Sequence, residues 1–400
     1  MNIEAWNGFL SCKLDNSYIV QKEKKSIMSF ICGQQYLPIC EGIVAGTYEF
    51  SIPAKHLIAK NASGKKRTVY SFPDDEMMVL KFITYLLGKY DGLFSPNLYS
   101  FRKTTGIRNA VNTVFHMRNR RTLFGYKADI SNYFNSVDVG LLLPELQKDL
   151  DADVFALMSR LLTDDRAIFR GELMHEMKGA MAGVPFSPFI ANYYLKDMDR
   201  HFLDEHVMYL RYADDILLFA NTKEELDDAV DYLHRFLESK HLHMNPEKEK
   251  FISPGENFDF LGFSFKDRVI DLSAHSVEKI KGKIRRKARA LRRWYLKKGL
   301  PADKALVAMN KAFNTKFYGK TREELSWEYW YFPHINTAES LKVVDAYMQQ
   351  MQRYIVTGRH NKMNYKRCDY EHLKQCGYRS LVAEYYAFRK SVENEGRDVK

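Results

Sequence analysis

The chain has 400 residues, of which 46% are apolar, and a formal net charge of +11. It is too long for one ordinary compact domain, and its apolar content excludes an intrinsically disordered protein. The positive excess is local, because eleven Lys and Arg residues and no acid lie between residues 279 and 298. A single basic stretch of this kind is typical of a surface that follows a polyanion.

The cysteines and the apolar stretches bear on the cellular compartment of the protein and on membrane insertion. The five cysteines include no Cys-x-x-Cys pair and no signal peptide opens the sequence, so we expect reduced thiols and a cytoplasmic protein. The most apolar stretch, residues 27–46, contains Gln, Pro and Glu, which predicts no transmembrane helix and no membrane partner. Cys368, His372 and Cys376 are spaced for one helix face. A zinc site usually has four ligands, and the sequence offers no obvious fourth, so this spacing alone does not predict zinc.

In chain order, residues 1–50 carry no recognisable motif and are expected to pack as an N-terminal extension. Residues 58–70 predict a β-hairpin with a Gly-containing turn, and an amphipathic helix follows over residues 77–87. Residues 124–130 predict a strand that carries Asp129 near its end. We expect residues 140–180 to be helical.

Two adjacent acids, Asp214 and Asp215, separate two apolar runs that predict buried strands joined by a tight turn. Asp is also an ordinary turn residue, so this hairpin alone is ambiguous. Together with Asp129 from a neighbouring strand, however, these carboxylates can hold two Mg²⁺ ions roughly 3.5–4 Å apart. Mg²⁺ takes oxygen ligands and keeps positions for substrate phosphates, and Mn²⁺ is the alternative ion. The three acids therefore predict a two-metal site for nucleotidyl transfer, as in a polymerase palm.

Beyond these acids, residues 258–265 alternate as the strands of a hairpin, and helices follow from His275. Apolar residues recur there at helical spacing, and Gly299 and Pro301 predict the end of the helix. The apolar set is Ile280, Ile284, Ala288, Leu291 and Tyr295. A solvated charged face is the simpler interpretation of the basic residues around them. Such faces usually mix both signs, whereas this one has none negative.

Several motifs occur in the order known from one family. They are Asp129-Ile130-Ser131-Asn132-Tyr133-Phe134, Gly183-Val184-Pro185-Phe186-Ser187-Pro188, Tyr212-Ala213-Asp214-Asp215 and Phe260-Leu261-Gly262. From about residue 60 to residue 265 the chain resembles reverse transcriptases, most closely the bacterial lineage of group II intron and retron-like enzymes. Residues 376–386 resemble the C-terminal segment of stand-alone enzymes associated with anti-phage defence.

The resemblance implies an α+β, right-hand polymerase fold with fingers, a palm of antiparallel sheet packed on helices, and a helical thumb. It assigns residues 1–50 to the N-terminal extension and residues 51–128 to the fingers. The palm would cover residues 129–265, with residues 140–182 completing the fingers. Residues 266–400 would form the basic helical thumb and the C-terminal region.

The resemblance also implies roles for single residues. The implied metal ligands are Asp129, the Ile130 carbonyl, Asp214 and Asp215, and Lys248 would be a general acid toward pyrophosphate. The implied nucleotide contacts are Lys60, Arg67, Phe134, Ala182 and Gly183. The implied template or primer contacts are Arg102, Ser187, Pro188, Tyr212, Leu261, Gly262, Arg285, Arg286, Arg289 and Arg293. Phe134 would lie against the nucleotide sugar. Ala182 stands where the family usually has Gln, which puts ordinary handling of the nucleotide in doubt.

Simpler roles are open for several of these residues. Lys60 and Arg67 flank a turn that is charged in any soluble protein, and Phe134 could be an ordinary core residue. Lys248 and Arg102 could be solvated surface residues. The sequence does not decide between these interpretations.

The activity implied is RNA-directed DNA synthesis from dNTPs, giving cDNA on a dedicated non-coding RNA template in anti-phage defence. An RNA-templated RNA polymerase is less well matched, because such enzymes usually have Gly-Asp-Asp and a small or polar residue in place of Phe134. The motifs are also compatible with a retron or intron-type reverse transcriptase, and with an inactive RNA-binding scaffold. All three acids are present, which argues against the scaffold. The priming mode and oligomerisation stay open.

Overall fold

A computed structural model describes residues 3–15, 19, 21–59, 66–117, 119–205, 207–319, 326–359 and 361–395. The chain forms two compact units that meet in sequence between Gly255 and Glu256. Both units combine helices with antiparallel strands, which confirms the predicted α+β class. Within the described ranges, none of the helices is both long enough and apolar enough to cross a bilayer.

The first unit contains ten helices and eight strands among its described residues. Its helices are α1 (Ile3–Asp15), α2 (Gln21–Cys32), α3 (Leu37–Val44), α4 (Asp74–Leu86), α5 (Ile107–His116), α6 (Val139–Asp149), α7 (Ala152–Thr163), α8 (Ser187–Tyr194), α9 (Lys196–Asp204) and α10 (Lys223–Ser239). Its strands are β1 (Ala54–Ala59), β2 (Lys66–Ser71), β3 (Phe124–Asp129), β4 (Arg166–Phe169), β5 (Glu172–His175), β6 (Met208–Tyr212), β7 (Asp215–Ala220) and β8 (Lys250–Ile252). Short 3₁₀ helices cover Leu87–Leu93, Arg120–Thr122 and Tyr133–Ser136.

The N-terminal helices pack around one aromatic residue. Trp6 in α1 is fully buried and stacks on Phe82 of α4, with ring centroids 3.8 Å apart, and on Tyr36 at 4.4 Å. Buried aromatic pairs of this kind add about 0.5–1.5 kcal/mol beyond the area that they bury. Helix α1 and the segment around Tyr36 are therefore joined to the core of the first unit through α4.

One sheet of the first unit has the strand order β2-β1-β4-β5. Its β1–β2 hairpin confirms the hairpin predicted over residues 58–70, although the turn at residues 60–65 lies outside the described part. The prediction of helix throughout residues 140–180 is wrong after α7, because residues 166–175 form the β4–β5 hairpin. Arg170 and Gly171 both have positive φ, +56° and +89°, which suits the two-residue turn of a hairpin.

The other sheet of the first unit has the order β6-β7-β3-β8, and all its pairings are antiparallel. Helix α10 packs against β7 and β3. The helix begins in a capping box, in which the Thr222 side chain accepts from the Glu225 N–H and Glu225 accepts from the N-cap backbone. The sheet is thus covered on one side by an amphipathic helix whose start is fixed by its own residues.

The second unit is a small sheet followed by helices. Its strands β9 (Phe258–Phe260), β10 (Phe263–Lys266) and β11 (Val269–Leu272) pair in the order β11-β10-β9. Its helices are α11 (Ala274–Lys298), α12 (Ala302–Tyr318), α13 (Trp327–Trp330), α14 (Glu339–Thr357), α15 (Tyr370–Gln375) and α16 (Leu381–Glu395), with a 3₁₀ helix at Lys362–Lys366. Helices α11, α12 and α14 pack on one another. The apolar set predicted for α11 is buried, and Gly299 ends the helix at a φ of +64°.

The segment around α15 differs from the sequence prediction. Cys368, His372 and Cys376 do not share one helix face, because α15 covers only six residues. The Asp369 side chain accepts a hydrogen bond from the His372 N–H at 2.8 Å and so caps the helix after Cys368. Cys376 follows the last helical residue. The three side chains are therefore placed by a cap and a turn rather than by helical spacing.

Candidate active site

Asp214 and Asp215 lie at the hairpin that joins β6 to β7. Residues 216–220 of β7 are buried, so both faces of this strand pack inside the unit. Tyr212 and Asp215 are cross-strand partners, which leaves Ala213 and Asp214 as a two-residue turn. Ala213 has a φ of +57°, in the left-handed region that tight hairpin turns use. The hairpin predicted from the apolar runs is therefore confirmed, with Asp214 in the turn and Asp215 at the start of β7.

A buried ion pair holds this turn through its backbone. Arg211 in β6 and Asp199 in α9 are both fully buried, and Arg211 Nε donates to Asp199 Oδ1 at 2.7 Å. Arg211 Nη1 also donates to the Ala213 carbonyl at 3.2 Å, and the Ala213 N–H donates to Ser100 Oγ at 2.9 Å. These bonds hold the turn without using the carboxylates of Asp214 and Asp215, which are left for other partners. Sequence analysis missed this pair, although an Arg inside an apolar strand indicates a buried acidic partner.

Asp129 comes alongside on the neighbouring strand. Strands β3 and β7 pair in antiparallel register, so that Asp129 is the cross-strand partner of Asp215. Directly opposed residues project from the same face of a sheet, so these two carboxylates lie side by side. The Ile130 N–H donates to the Asp214 carbonyl at 3.1 Å, and the Asn245 N–H donates to the Asp129 carbonyl at 2.8 Å. The structure thus brings together the three acids that the sequence singled out.

Burial and mutual repulsion disfavour the charged forms of these carboxyls. Burial raises the pKa of Asp215 to about 6, and repulsion by Asp214 and Asp129 adds to the rise. The pKa of Asp214 is also raised, first by burial and then by Asp129, while Lys248 and Arg67 oppose the shift. A bound cation relieves crowded, desolvated carboxylates, and carboxylate oxygen is the ligand that Mg²⁺ and Mn²⁺ prefer. The donor set therefore fits a divalent metal site.

Lys248 supplies part of the positive charge that these acids need. Its ammonium forms an ion pair with Asp129, whose side chain is nearly buried, whereas the Lys248 side chain is about half exposed. Among the described residues, only one group of three possible metal ligands has its ligand atoms within 4.8 Å of one another, and that group lies in the second unit. The carboxylate oxygens of Asp129, Asp214 and Asp215 therefore do not all lie that close together. A metal at these acids would have to displace Lys248 from Asp129.

The β1–β2 hairpin carries one of the predicted triphosphate contacts. Arg67 is exposed in β2, where it pairs across the hairpin with Ile58. Its charge is close enough to Asp214 to oppose the rise in pKa that burial causes there. The other predicted contact on this hairpin, Lys60, lies outside the described residues.

Three aromatic rings meet next to the acids. The Phe101 ring lies edge-on to Phe134, with centroids 6.1 Å apart, and 6.3 Å from the Tyr212 ring. Phe101 is 52% exposed and has a φ of +57°, which is a strained conformation for a bulky residue. Phe134 is half-buried, with part of its side chain packed against the hydrophobic core and part exposed. Sequence analysis did not select Phe101, because a backbone conformation leaves no mark in the residue type.

The predicted nucleotide contacts Ala182 and Gly183 lie against β2. The Tyr70 N–H donates to the Ala182 carbonyl at 2.7 Å. Gly183 has a φ of +103°, and a Cβ there would come within 2.8 Å of the Tyr70 carbonyl. Glycine is therefore required at this position by the protein itself, since the segment packs directly on the backbone of β2.

Of three predicted template contacts in the first unit, Ser187 and Arg102 have hydrogen-bond partners there and Pro188 begins a helix. The Ser187 hydroxyl is buried and donates to the Met181 carbonyl, and Pro188 occupies the first turn of α8 as predicted. Arg102 makes a two-bond ion pair with Asp91, at 3.0 Å from Nε and 2.9 Å from Nη2. Arg102 could contact a template only by giving up its ion pair with Asp91.

The predicted primer contacts Leu261 and Gly262 belong to the second unit. They form the two-residue turn between β9 and β10, with φ values of +50° and +88°. The Ser276 hydroxyl donates to the Gly262 carbonyl at 2.9 Å, and a Cβ on Gly262 would lie 3.0 Å from that hydroxyl oxygen. The turn is thus tied to the start of α11.

Helix α11 presents a basic face. Its predicted nucleic-acid contacts are all exposed, and helical geometry places them opposite the buried apolar residues of the same helix. They are Arg285, Arg286, Arg289 and Arg293. Guanidinium groups on one exposed stripe suit binding to successive phosphates of a backbone.

Replacing these four arginines with Gln is expected to weaken duplex binding for all sequences alike. Each lost phosphate contact should lower the slope of log affinity against log salt by roughly 1. Binding titrations at several salt concentrations, on two unrelated duplex sequences, measure this slope. A matched control replaces Lys304, Lys311, Lys342 and Lys374 with Gln, which removes the same charge from exposed positions of the same unit. Equal slopes for both quadruple variants, or a loss on only one sequence, would exclude a backbone-binding face.

Three carboxylates on paired antiparallel strands are typical of a polymerase palm. Residues 58–265 match the family described as reverse transcriptase (RNA-dependent DNA polymerase). That match covers more than half of the sequence, and the chain therefore belongs to the reverse transcriptase family.

Comparison with solved structures finds telomerases at low similarity. An apo telomerase from Candida tropicalis, truncated from its C-terminal domain, aligns at 13% identity and a TM-score of 0.45 over 56% of this chain and 55% of its own. Telomerase from Candida albicans, in complex with a fragment of telomeric RNA, aligns at 12% identity and a TM-score of 0.43 over 85% and 64%. This chain thus spans between half and two thirds of those proteins. No curated protein matches it.

Proposed function

We propose that the chain is an RNA-directed DNA polymerase that makes cDNA by nucleotidyl transfer, with Asp129, Asp214 and Asp215 as ligands of two Mg²⁺ ions. The observation that supports this most strongly is the register that sets Asp129 opposite Asp215, beside a turn fixed by a buried ion pair. When bound, the metal would stabilise negative charge on the attacking 3′ oxygen and on the leaving pyrophosphate. Mn²⁺ is the alternative ion, and the Ile130 carbonyl is a further proposed ligand.

The basic residues near these acids have proposed roles toward the nucleotide. Arg67 would bind the triphosphate through its forked donors, and Lys60 of the same hairpin would add a point charge. Lys248 would leave Asp129 when the metal binds and would then be available to protonate pyrophosphate. Ala182 and Gly183 would line the nucleotide site. The proposed partners are an RNA template, dNTPs and the cDNA product.

Primer extension tests the proposal directly. The purified chain should extend a DNA primer on an RNA template when dNTPs and Mg²⁺ are present, and EDTA should stop the reaction. A chain that binds RNA but never extends a primer, with either Mg²⁺ or Mn²⁺, would instead be an RNA-binding scaffold. Extension by ribonucleotides alone would indicate an RNA polymerase.

We propose further that this polymerase is a bacterial, stand-alone enzyme that copies one non-coding RNA in anti-phage defence. This rests on the resemblance of residues 376–386 to the C-terminal segment of such enzymes. Sequencing the nucleic acid that co-purifies with the chain tests it. A single non-coding RNA with its cDNA would support the proposal, whereas an intron RNA would favour an intron-type enzyme.

Phe134→Ala is expected to admit ribonucleotides while use of deoxynucleotides falls modestly. A ring beneath the sugar excludes the 2′-hydroxyl sterically, and overpacking of this kind costs roughly 1–3 kcal/mol, or about a 5- to 150-fold preference. Incorporation of each nucleotide type, measured with a melting curve, checks this. Phe155→Ala is the matched control, because both rings are partly buried against the same hydrophobic core. A folded Phe134→Ala enzyme that still rejects ribonucleotides would remove this ring from the sugar site.

A further inference from the structure

A second group of possible metal ligands lies in the second unit. The ligand atoms of Asp303, His372 and Cys376 are all within 4.8 Å of one another. His372 Nε2 is 2.9 Å from Asp303 Oδ1. Asp303 lies in the first turn of α12, whereas His372 and Cys376 belong to the α15 segment. His372 is 69 residues further along the chain than Asp303. The ligand missing from the sequence pattern is therefore supplied by a distant helix.

Hydrogen bonds between side chains and the backbone fix the segments of this cluster, independently of the ligand side chains themselves. Asn310 Nδ2 in α12 donates to the Cys376 carbonyl at 2.9 Å, and Asn314 Nδ2 donates to the Gly377 carbonyl at 2.8 Å. The Asp369 cap places His372 at the start of α15. The arrangement is thus built by the fold, and does not depend only on the attraction between a His and an Asp.

Cys368 is the candidate for a fourth ligand. Its thiol is buried, and its carbonyl accepts from Arg353 Nε of α14 at 3.0 Å. Both cysteines are buried and neither is in a disulfide. Cys368 is not among the three residues whose ligand atoms lie within 4.8 Å of one another, so its side chain would have to move toward them to act as a fourth ligand.

We propose that Asp303, His372 and Cys376 form a structural zinc site, with Cys368 moving toward them to supply the fourth ligand. Zn²⁺ accepts sulfur, nitrogen and oxygen in one tetrahedral shell, whereas Mg²⁺ and Ca²⁺ require oxygen ligands. Ligand atoms 2.0–2.3 Å from a tetrahedral ion lie roughly 3.3–3.8 Å apart, so small side-chain rotations convert the cluster into a coordination shell. Asp303 is exposed and His372 half-buried, which leaves a path for the ion to enter.

The zinc would join three parts of the second unit. Asp303 lies on α12, Cys368 is tied to α14 through Arg353, His372 lies in α15, and Cys376 directly follows that helix. A metal shared between distant segments stabilises the folded chain, because the unfolded chain does not present the same ligands together. The proposed polymerase centre belongs to the first unit, and its three carboxylates differ in kind from the ligands of this site.

Metal analysis of the full-length chain tests the proposal. The purified protein is equilibrated with Zn²⁺ in the presence of excess Mg²⁺, desalted, and assayed for zinc by mass spectrometry. We expect one zinc per chain, and near none in Cys376→Ser or His372→Gln. Cobalt in place of zinc should give a thiolate-to-metal absorption band that Cys376→Ser weakens, and Cys368→Ser should reduce it similarly.

Matched variants separate a metal site from a general effect of the substitution. Cys32→Ser removes an exposed thiol, and His175→Gln breaks another exposed His–Asp pair, with Asp165 at 3.0 Å, in the first unit. Both controls should keep one zinc per chain.

Melting curves keep the test valid if a variant is less stable. In EDTA, the wild type and Cys376→Ser should melt alike, and zinc at about 100 times its dissociation constant should raise only the wild-type midpoint, by roughly 5 °C. A wild-type chain that retains no zinc would overturn the proposal. So would zinc retention and cobalt spectra that are unchanged in both Cys376→Ser and His372→Gln. None of these readouts depends on polymerase activity.

Discussion

Primer extension by Asp214→Asn and Asp129→Asn is expected to fall by a factor of about 10³ or more. Each substitution removes one carboxylate from the proposed metal ligands. Metal ions stabilise transition-state charge by several kcal/mol, and each 1.36 kcal/mol of activation free energy changes the rate about tenfold. The fold should survive, because the register of β3 and β7 is made by backbone hydrogen bonds. The pKa of Asp214 is raised by burial and by Asp129, so its neutral replacement should not lower the melting temperature.

Three measurements check this expectation on the same preparations: initial rates of extension, a melting curve, and RNA affinity. Asp227→Asn is the matched control, since it makes the same chemical change at an exposed ion pair with Lys223 on α10. Extension at the wild-type rate by either active-site variant would exclude that acid from the metal site. A loss of activity with an equal loss of RNA affinity would point to a misfolded protein instead.

Asp199→Ala is expected to lower the free energy of unfolding by about 3–5 kcal/mol. The substitution leaves the Arg211 guanidinium buried without its charge partner, which is the costly way to break a buried ion pair. The Tyr209 hydroxyl also loses its acceptor, since it donates to Asp199 Oδ1 at 2.7 Å. Because Arg211 also binds the Ala213 carbonyl, the Asp214 turn should loosen, and primer extension should fall with the stability.

Urea denaturation curves measure this loss, and two further variants show its cause. Asp227→Ala breaks the exposed pair with Lys223 and should change the free energy of unfolding by less than about 1 kcal/mol. Replacing both buried partners, with Asp199→Leu and Arg211→Met, should recover much of the lost stability, because no uncompensated charge remains. Similar losses for the buried and the exposed pair would show that Asp199 and Arg211 do not anchor the turn.

Local patterns predicted much of the site. The apolar runs around Asp214 and Asp215 predicted two buried strands, and the structure has β6 and β7 there. The run over residues 124–130 predicted β3, which pairs with β7. Strand assignments of this kind succeed because a buried strand must be apolar along its length, whatever lies elsewhere in the chain.

Contacts between distant segments could not be predicted in this way. Lys248 meets Asp129 across 119 residues, and Asp303 meets His372 across 69. Residues 172–174, Glu-Leu-Met, favour helix by intrinsic propensity, yet they form β5 because β4 offers a strand partner. Tertiary pairing of this kind overrides local preference, and no period in the sequence records it.

The conformation of Phe101 limits how this protein could be stabilised by design. Gly or Asn tolerates a φ of +57° with less strain than Phe, so a search for stabilising substitutions would favour either one at this position. Either would remove the ring that lies against Phe134 and Tyr212. Thermostability and the shape of the surface next to the carboxylates are therefore opposed at this residue. Engineering that scores folding energy alone would alter the site while appearing to improve the protein.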